Sequence, residues 1–134
     1  MVTRYLLDTD RIIDALHGIA EATDMLATLA VTGVAVSLIS YGELYEGAYY
    51  SRDQVAGLAA LAAFVRDKPL LPVTMEVLER FAIIRGSLSR QLRRQIGDMD
   101  LIIAATALAY DLTLVTRNLR DFQHIQDLTL YQPA

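Results

Sequence analysis

The stretch Gly97-Asp98-Met99-Asp100-Leu101-Ile102-Ile103-Ala104-Ala105 sets two carboxylates directly before the most apolar run in the chain. Other acids stand in comparable places. Asp8 and Asp10 follow the short apolar Arg4-Tyr5-Leu6-Leu7, Glu43 comes soon after Val34-Ala35-Val36-Ser37, and Asn118 and Asp121 follow Leu112-Thr113-Leu114-Val115-Thr116. Two carboxylates about 5 Å apart repel by roughly 3 kcal/mol at an effective dielectric near 20. Acids that converge therefore need a cation or a proton. The chain has no cysteine and only two histidines, His17 and His124, which excludes a thiolate metal site and disfavours a histidine-rich zinc centre. Oxygen ligands without sulfur favour Mg²⁺ or Mn²⁺. Such an ion orients and deprotonates a water and stabilises charge on a phosphoryl oxygen during in-line attack.

Elements distant in sequence must bring these acids together. Residues 4–7 read as a first strand, and residues 10–18 as a helix with Ile12, Ile13 and Leu16 at helical spacing and a glycine stop. A second helix is expected over 20–32, a strand over 34–37 and a helical segment over 39–50. Ser51 with Gln54 reads as a capping box for a helix over 52–66. Prolines confine residues 69–73 to an edge or short strand. Thr74 is an N-cap for one long helix to about Arg94, residues 101–110 are apolar all round and so a buried helix, and 112–116 and 128–131 close the pattern as strands. This alternation predicts one α/β domain over 1–134 with a mainly parallel sheet between helices. In open parallel sheets, ligands bind beyond the carboxyl ends of the strands, where Asp8, Glu43, Asp100, Asn118 and Asp121 all fall.

Each acid also has a purely structural explanation. Asp8 or Asp10 caps the first helix in that reading, Ser40 with Glu43 forms a capping box, and Asp98 and Asp100 complement a helix dipole. Taken together, in this order and at strand ends, the acids favour a site.

Composition narrows the function classes. With 54% hydrophobic residues, the chain buries a full core and has apolar surface left for a partner. The absence of cysteine fits a reducing cytoplasm. The amino terminus carries acids before any long apolar region, so no signal peptide is expected. The uncharged 25–42 segment contains acid-free but glycine-, Thr- and Ser-divided sequence, and is read as helix and buried strand, not a membrane span. A net charge of −4 argues against broad electrostatic binding of nucleic acid. Eleven of the 12 cations are Arg, however, and Arg93, Arg94, Arg117 and Arg120 near the carboxyl end suit a local phosphate-binding rim.

Asp8-Thr9-Asp10 after a strand, Ser37-x-x-Ser40-x-x-Glu43-Leu44, "IGDMDLIIAATAL" and "LTLVTRNLRDF" together resemble the PIN-domain ribonucleases, specifically the VapC-type toxins of toxin–antitoxin pairs. The resemblance runs from residue 4 to 131. It implies a PIN-like three-layer α/β/α sandwich and divalent-metal-dependent endonucleolytic cleavage of RNA. Carried over residue by residue, it makes Asp8, Glu43 and Asp100 the metal ligands or water-orienting groups. Thr9, Ser40 and Thr116 match small hydroxyl positions beside them. Asp98 falls where the family pattern demands no acid, and is read as a helix cap or outer carboxylate. This chain has Asn118 where many PIN proteins carry Asp, and Asp121 is expected to supply the missing charge. Asp10 stands where many relatives have Asn or Ser, and is read either as an extra acid beside the centre or, in preference, as a cap for the first helix.

The same resemblance implies a homodimer, an RNA substrate and a cognate antitoxin that blocks the acids. Tyr41, Tyr45 and Tyr49 form one helical stripe, read as core before nucleobase platform. Two other classes compete. A non-catalytic PIN-like module that binds RNA or protein would tolerate Asn118. A phosphatase of the DxD type would use Asp8 as nucleophile and Asp10 as acid/base, and would need Lys68, the only lysine, beside them.

Overall fold

The structure, a computed structural model, describes residues 2–133. Four parallel strands, β1 (Tyr5–Leu7), β2 (Val34–Ser37), β3 (Leu70–Leu71) and β4 (Thr113–Val115), lie in the order β3-β2-β1-β4. Helices α1 (Thr9–Leu16) and α2 (Ala20–Ala30) connect β1 to β2, and α3 (Leu38–Tyr49) and α4 (Gln54–Val65) connect β2 to β3. Helices α5 (Met75–Ser87), α6 (Arg90–Gln95) and α7 (Asp98–Ala109) lead to β4, and the short α8 (Leu119–Phe122) follows it. The arrangement is the three-layer α/β/α sandwich with a parallel sheet that the sequence predicts.

Strand periodicity of two divides the core. Leu6, Ala35 and Leu114 face α5 and α7, packing with Val77, Ile84, Leu101 and Ile103. Leu7, Val34, Val36 and Val115 face the other way, onto Ile12 of α1, Leu29 of α2, Leu44 of α3 and Leu61 of α4. α7 has no polar stripe because it is enclosed, with Leu101 and Ile103 through Ala107 all buried. Gly33 takes φ +125°, and a Cβ there would lie 3.1 Å from both Thr3 Cα and Val2 O, so the turn into β2 needs glycine.

Several boundaries differ from the sequence expectation. The long helix from Thr74 to Arg94 is two helices. Thr74 caps α5 as expected, but Leu88 leaves helical geometry to enter the core, and Ser89 caps α6 by accepting the Leu92 N–H at 3.2 Å. The cap of α4 is Asp53, which accepts from Ala56 N, whereas Ser51 donates to the Ala48 carbonyl and Gln54 reaches back to that of Tyr49. A charged acceptor suits a helix N-terminus better than a hydroxyl, and Ser51 instead closes α3. The expected last strand over 128–131 is a single bridge, Leu114 with Leu130. No helix among the described residues is long and apolar enough to cross a membrane.

Candidate active site

The pairing of Leu7 with Val36 and with Val115 puts the next residue of each strand, Asp8, Ser37 and Thr116, in one row across the carboxyl edge of the sheet. All three are buried polar residues. Asp8 is the N-cap of α1, with Oδ1 accepting from Thr9 N at 2.8 Å and Oδ2 accepting from the Thr116 hydroxyl at 2.7 Å. The cap and the site are thus the same residue. Only 4% of Asp8 is exposed. Burial first, then the charge of Asp10, pushes its carboxyl from an ordinary 3.8 up to about 7, against the opposing pull of the Thr116 and Thr9 hydrogen bonds.

Ser37 caps α3 by accepting from Ser40 N at 3.0 Å, so the Ser40–Glu43 capping box does not form. With the cap one turn earlier, Ser40 and Glu43 are free to turn toward α1. Thr9 Oγ1 donates to Glu43 Oε1 at 2.7 Å and lies 2.9 Å from Ser40 Oγ. Asp100 stands in the first turn of α7, half-buried. Its carboxyl is also raised, by burial first and then by the charges of Glu43, Asp10 and Asp121. Acids from α1, α3, α7 and α8 thus act electrostatically on one another, although among the described residues no three of them stand together as a ready metal-holding group.

Asn118 caps α8. Its Oδ1 accepts from Asp121 N at 3.3 Å, its Nδ2 donates to Asp121 Oδ2 at 3.0 Å, and its backbone N–H donates to Thr116 Oγ1 at 3.0 Å. Gln95, at the end of α6, donates to the other oxygen of Asp121. The two amides, Asn118 first, hold the Asp121 carboxyl below its ordinary range. Sequence reading missed Gln95 because a polar residue 26 positions from its acceptor carries no local signal.

Two acids sit differently from expectation. Asp10 does not cap α1. Its Oδ2 accepts from Arg117 N at 3.0 Å and lies 3.4 Å from the Thr116 hydroxyl, while Asp8 does the capping. Asp98 does not cap α7 either: the N-cap is Gly97, without a side-chain cap, and Asp98 pairs with Arg85 at 3.0 Å on the exposed side. Asp98 lies in the first turn, where its carboxylate turns away from the helix axis to Arg85. Of the arginines, Arg94 and Arg120 are exposed, Arg93 is half-buried with Nε unpaired, and Arg117 is occupied by Asp14 at 3.0 Å. The tyrosine stripe is not core throughout. Tyr41 packs against buried residues, but Tyr45 and Tyr49 are nearly half exposed and stack on one another, with ring centroids 6.3 Å apart.

Lys68 lies at the opposite end of the sheet, lining a cavity with Thr3, Gly33 and Val34 at the strands' amino ends. Its ammonium donates to the Phe64 carbonyl and to Asp67 and sits 3.9 Å from the Phe64 ring centre. It cannot serve Asp8, which removes the DxD-phosphatase reading. Beside Glu43, an apolar groove of about 390 Å³ runs between α1, α3 and α4, lined by Ile13, Leu16, Leu44, Gly47, Ala60 and Leu61 among others.

The PIN domain profile matches residues 5–128. Ribonuclease VapC19 of Mycobacterium tuberculosis is 38% identical over 128 residues, covering 92% of this chain and 95% of its own. Ribonuclease VapC1 of Haemophilus influenzae is 31% identical over 128 residues, covering 92% and 93%. Among solved structures, VapBC2 from Rickettsia felis, bound to a DNA fragment from its promoter, superposes with a TM-score of 0.85 at 26% identity over 98% of this chain and 100% of that one. A toxin–antitoxin complex from Klebsiella pneumoniae gives 0.72 at 28% identity over 96% and 99%. A profile spanning the sheet and every acid of the carboxyl edge, with relatives similar from end to end, makes this chain a member of the PIN-domain family, of the VapC type.

Proposed function

We propose that this protein is the toxin of a toxin–antitoxin pair, an endoribonuclease that hydrolyses RNA phosphodiester bonds with Mg²⁺, or Mn²⁺ in its place, and is inhibited by a cognate antitoxin. The observation that carries this reading is that Asp8, Glu43 and Asp100, from three separate elements, lie within one another's electrostatic reach at the carboxyl edge of the sheet, with Asp8 buried and pushed up to about 7. Family membership supports the same activity, since the relatives are named ribonucleases.

The donor types fit a small, hard cation, which would have to draw the carboxylates together, since among the described residues no three acids already stand as a metal-holding group. The three carboxylates offer only oxygen, no thiol exists in the chain, and a carboxyl raised by burial and like charge is one that a cation would relieve. Asp8, Glu43 and Asp100 would hold it. When bound, it supplies a Lewis acid that acidifies water and stabilises charge on the phosphoryl oxygen. The chain's own contribution is orientation. Thr9 N–H and the Thr116 hydroxyl fix both oxygens of Asp8, and the Thr9 hydroxyl fixes Glu43. Asn118 and Gln95 hold Asp121 as a charged carboxylate facing Asp100, so Asp121 supplies the fourth negative charge where Asn118 lacks it. Ser40 supports Thr9. Below about pH 7 without a cation, a proton on Asp8 takes its place. Arg93, Arg94 and Arg120 are the cations we assign to the RNA backbone.

Relatives solved as toxin–antitoxin complexes support an antitoxin partner. The groove beside Glu43 is the surface we assign to it: an apolar segment lying there reaches the acids directly. A homodimer accounts for the apolar side chains left on the surface, among them Tyr45, Tyr49, Tyr50, Met75 and Leu78. We place the protein in the cytoplasm, on the absence of cysteine.

The test is incubation of antitoxin-free protein with total RNA in Mg²⁺ or Mn²⁺, with cut ends mapped by sequencing. Discrete cuts abolished by EDTA are expected. No cuts and no Mn²⁺ binding would favour a module that binds without cutting.

A further inference from the structure

Arg117 directly follows Thr116 and makes three contacts to α1. Its backbone N–H donates to Asp10 Oδ2 at 3.0 Å, its Nε lies 3.9 Å from the same oxygen, and that Nε is 3.0 Å from Asp14 Oδ2. Asp10 and Asp14 are four residues apart and share a helix face. Asp14 is buried, and the guanidinium is the cation beside it. Such a partner offsets the cost of burying a carboxylate. Asp10 has a further property: its second oxygen, Oδ1, is buried and has no hydrogen-bond partner. It stands two residues from Asp8, and its charge acts on both Asp8 and Asp100. By chemistry and position, Asp10 is a competing ligand.

We propose that Arg117 is a positioning residue for the metal centre: ion-paired with Asp14 and Asp10, it holds Asp10 back from the cation and fixes Thr116, so that Asp8, Glu43 and Asp100 remain the ligands. The proposal rests on the metal-centre reading above. Its logic is local. Thr116 donates to Asp8 and accepts from Asn118, so the loop that Arg117 ties to α1 is the loop that orients Asp8. An Arg at the rim of an RNA-cutting site would ordinarily be assigned to the substrate, but this side chain is turned to carboxylates of its own chain.

The experiment is an EPR titration of the metal-stripped protein with Mn²⁺, together with kcat and KM for RNA cleavage. Arg117→Ala removes a positive charge and the side-chain part of the hold on Asp10, leaving only the backbone N–H, so Mn²⁺ is expected to bind about fivefold more tightly or better at low salt. The freed ligand also misplaces the cation, so kcat falls by about tenfold while KM stays within about twofold. Adding Asp10→Asn, whose amide oxygen still accepts the backbone N–H of position 117, is expected to return both quantities toward wild type. Arg117→Lys recovers part of kcat. Arg117→Gln serves if the alanine variant does not fold, with the same expected shift in affinity.

Unchanged Mn²⁺ affinity in Arg117→Ala overturns the proposal. A higher KM at constant kcat marks an RNA contact and also overturns it. So does a loss of kcat that Asp10→Asn leaves unrestored, which marks an ion pair needed only for stability. If wild type itself binds no Mn²⁺, the metal-centre reading falls and this proposal with it, so the two failures are separable.

Discussion

Asp8→Asn, in protein stripped of metal, is expected to raise stability at pH 8 and to leave it nearly unchanged at pH 5. A carboxyl moved from 3.8 to about 7 carries a penalty of about 4 kcal/mol once fully ionised, at about 1.4 kcal/mol per pH unit. The folded-state value lies above the unfolded one, so the folded protein binds the extra proton between about pH 4 and 7, and stability is lost as pH rises through that window. With Asp8 only 4% exposed, solvent does little to screen this. Asparagine removes the charge but offers one acceptor oxygen where the carboxyl has two, and so gives up one of the hydrogen bonds from Thr9 and Thr116, at about 1 kcal/mol. The net gain is about 3 kcal/mol at pH 8 and within about 1 kcal/mol of zero at pH 5. For a chain of this size, the pH 8 gain raises Tm by about 9 °C. Thermal melts in EDTA at the two pH values measure it, and Mn²⁺ should raise the wild-type Tm while leaving the variant nearly unmoved. A variant less stable than wild type at pH 8, or shifted equally at both pH values, would refute the picture of an uncompensated buried carboxylate.

Thr116→Val removes the hydroxyl that orients Asp8 and should lower the rate of RNA cleavage by about tenfold, as single-turnover kinetics would report, with a fall of about 3 °C or more in Tm because the Asn118 N–H also loses its acceptor. Gly47→Leu places side-chain volume where a Cβ meets nothing within 4 Å, filling the groove beside Glu43. It should weaken copurification with the antitoxin while cleavage persists; intact copurification would mean that the antitoxin binds elsewhere. Ser89→Ala removes the cap of α6 and should cost about 1 kcal/mol, a fall of about 3 °C in Tm by calorimetry.

Much of the fold was legible because strand and helix periods are local properties. Residues 34–37 and 112–116 alternate with helical segments, and that alternation alone predicts the parallel sheet. What remained hidden depends on tertiary competition. Gly86, Ser87 and Ser89 are break signals near Leu88, but each is tolerated singly inside a helix, and the helical pattern on either side runs through them. The core draws in Leu88, which makes Ser89 a cap. Candidate caps were misassigned by a few residues for a related reason. Several polar residues cluster at each helix start, and the one that caps is decided by what the others bind: Ser37 caps α3 because Ser40 and Glu43 meet Thr9.

The acids themselves were visible, since each follows a strand or opens a helix. Their partners were not. Gln95 and Asp14 act across 26 and 103 positions, and no sequence pattern ties Gln95 to Asp121 or Asp14 to Arg117. From sequence Arg117 reads as a rim cation because a guanidinium fork matches phosphate. The structure gives it to Asp14 and Asp10 instead, which is a matter of geometry on α1.

The most direct test of the account compares Asp98→Asn with Asp100→Asn, two residues apart on one helix, in RNA cleavage with Mg²⁺. Asp98 is exposed and paired with Arg85, whereas Asp100 is half-buried among Glu43, Asp10 and Asp121. Asp100→Asn is predicted to lower the cleavage rate by about 100-fold or more while Asp98→Asn stays within about twofold of wild type. Equal losses in the two variants, or cleavage that survives in Asp100→Asn, would contradict the assignment of Asp8, Glu43 and Asp100 as the site.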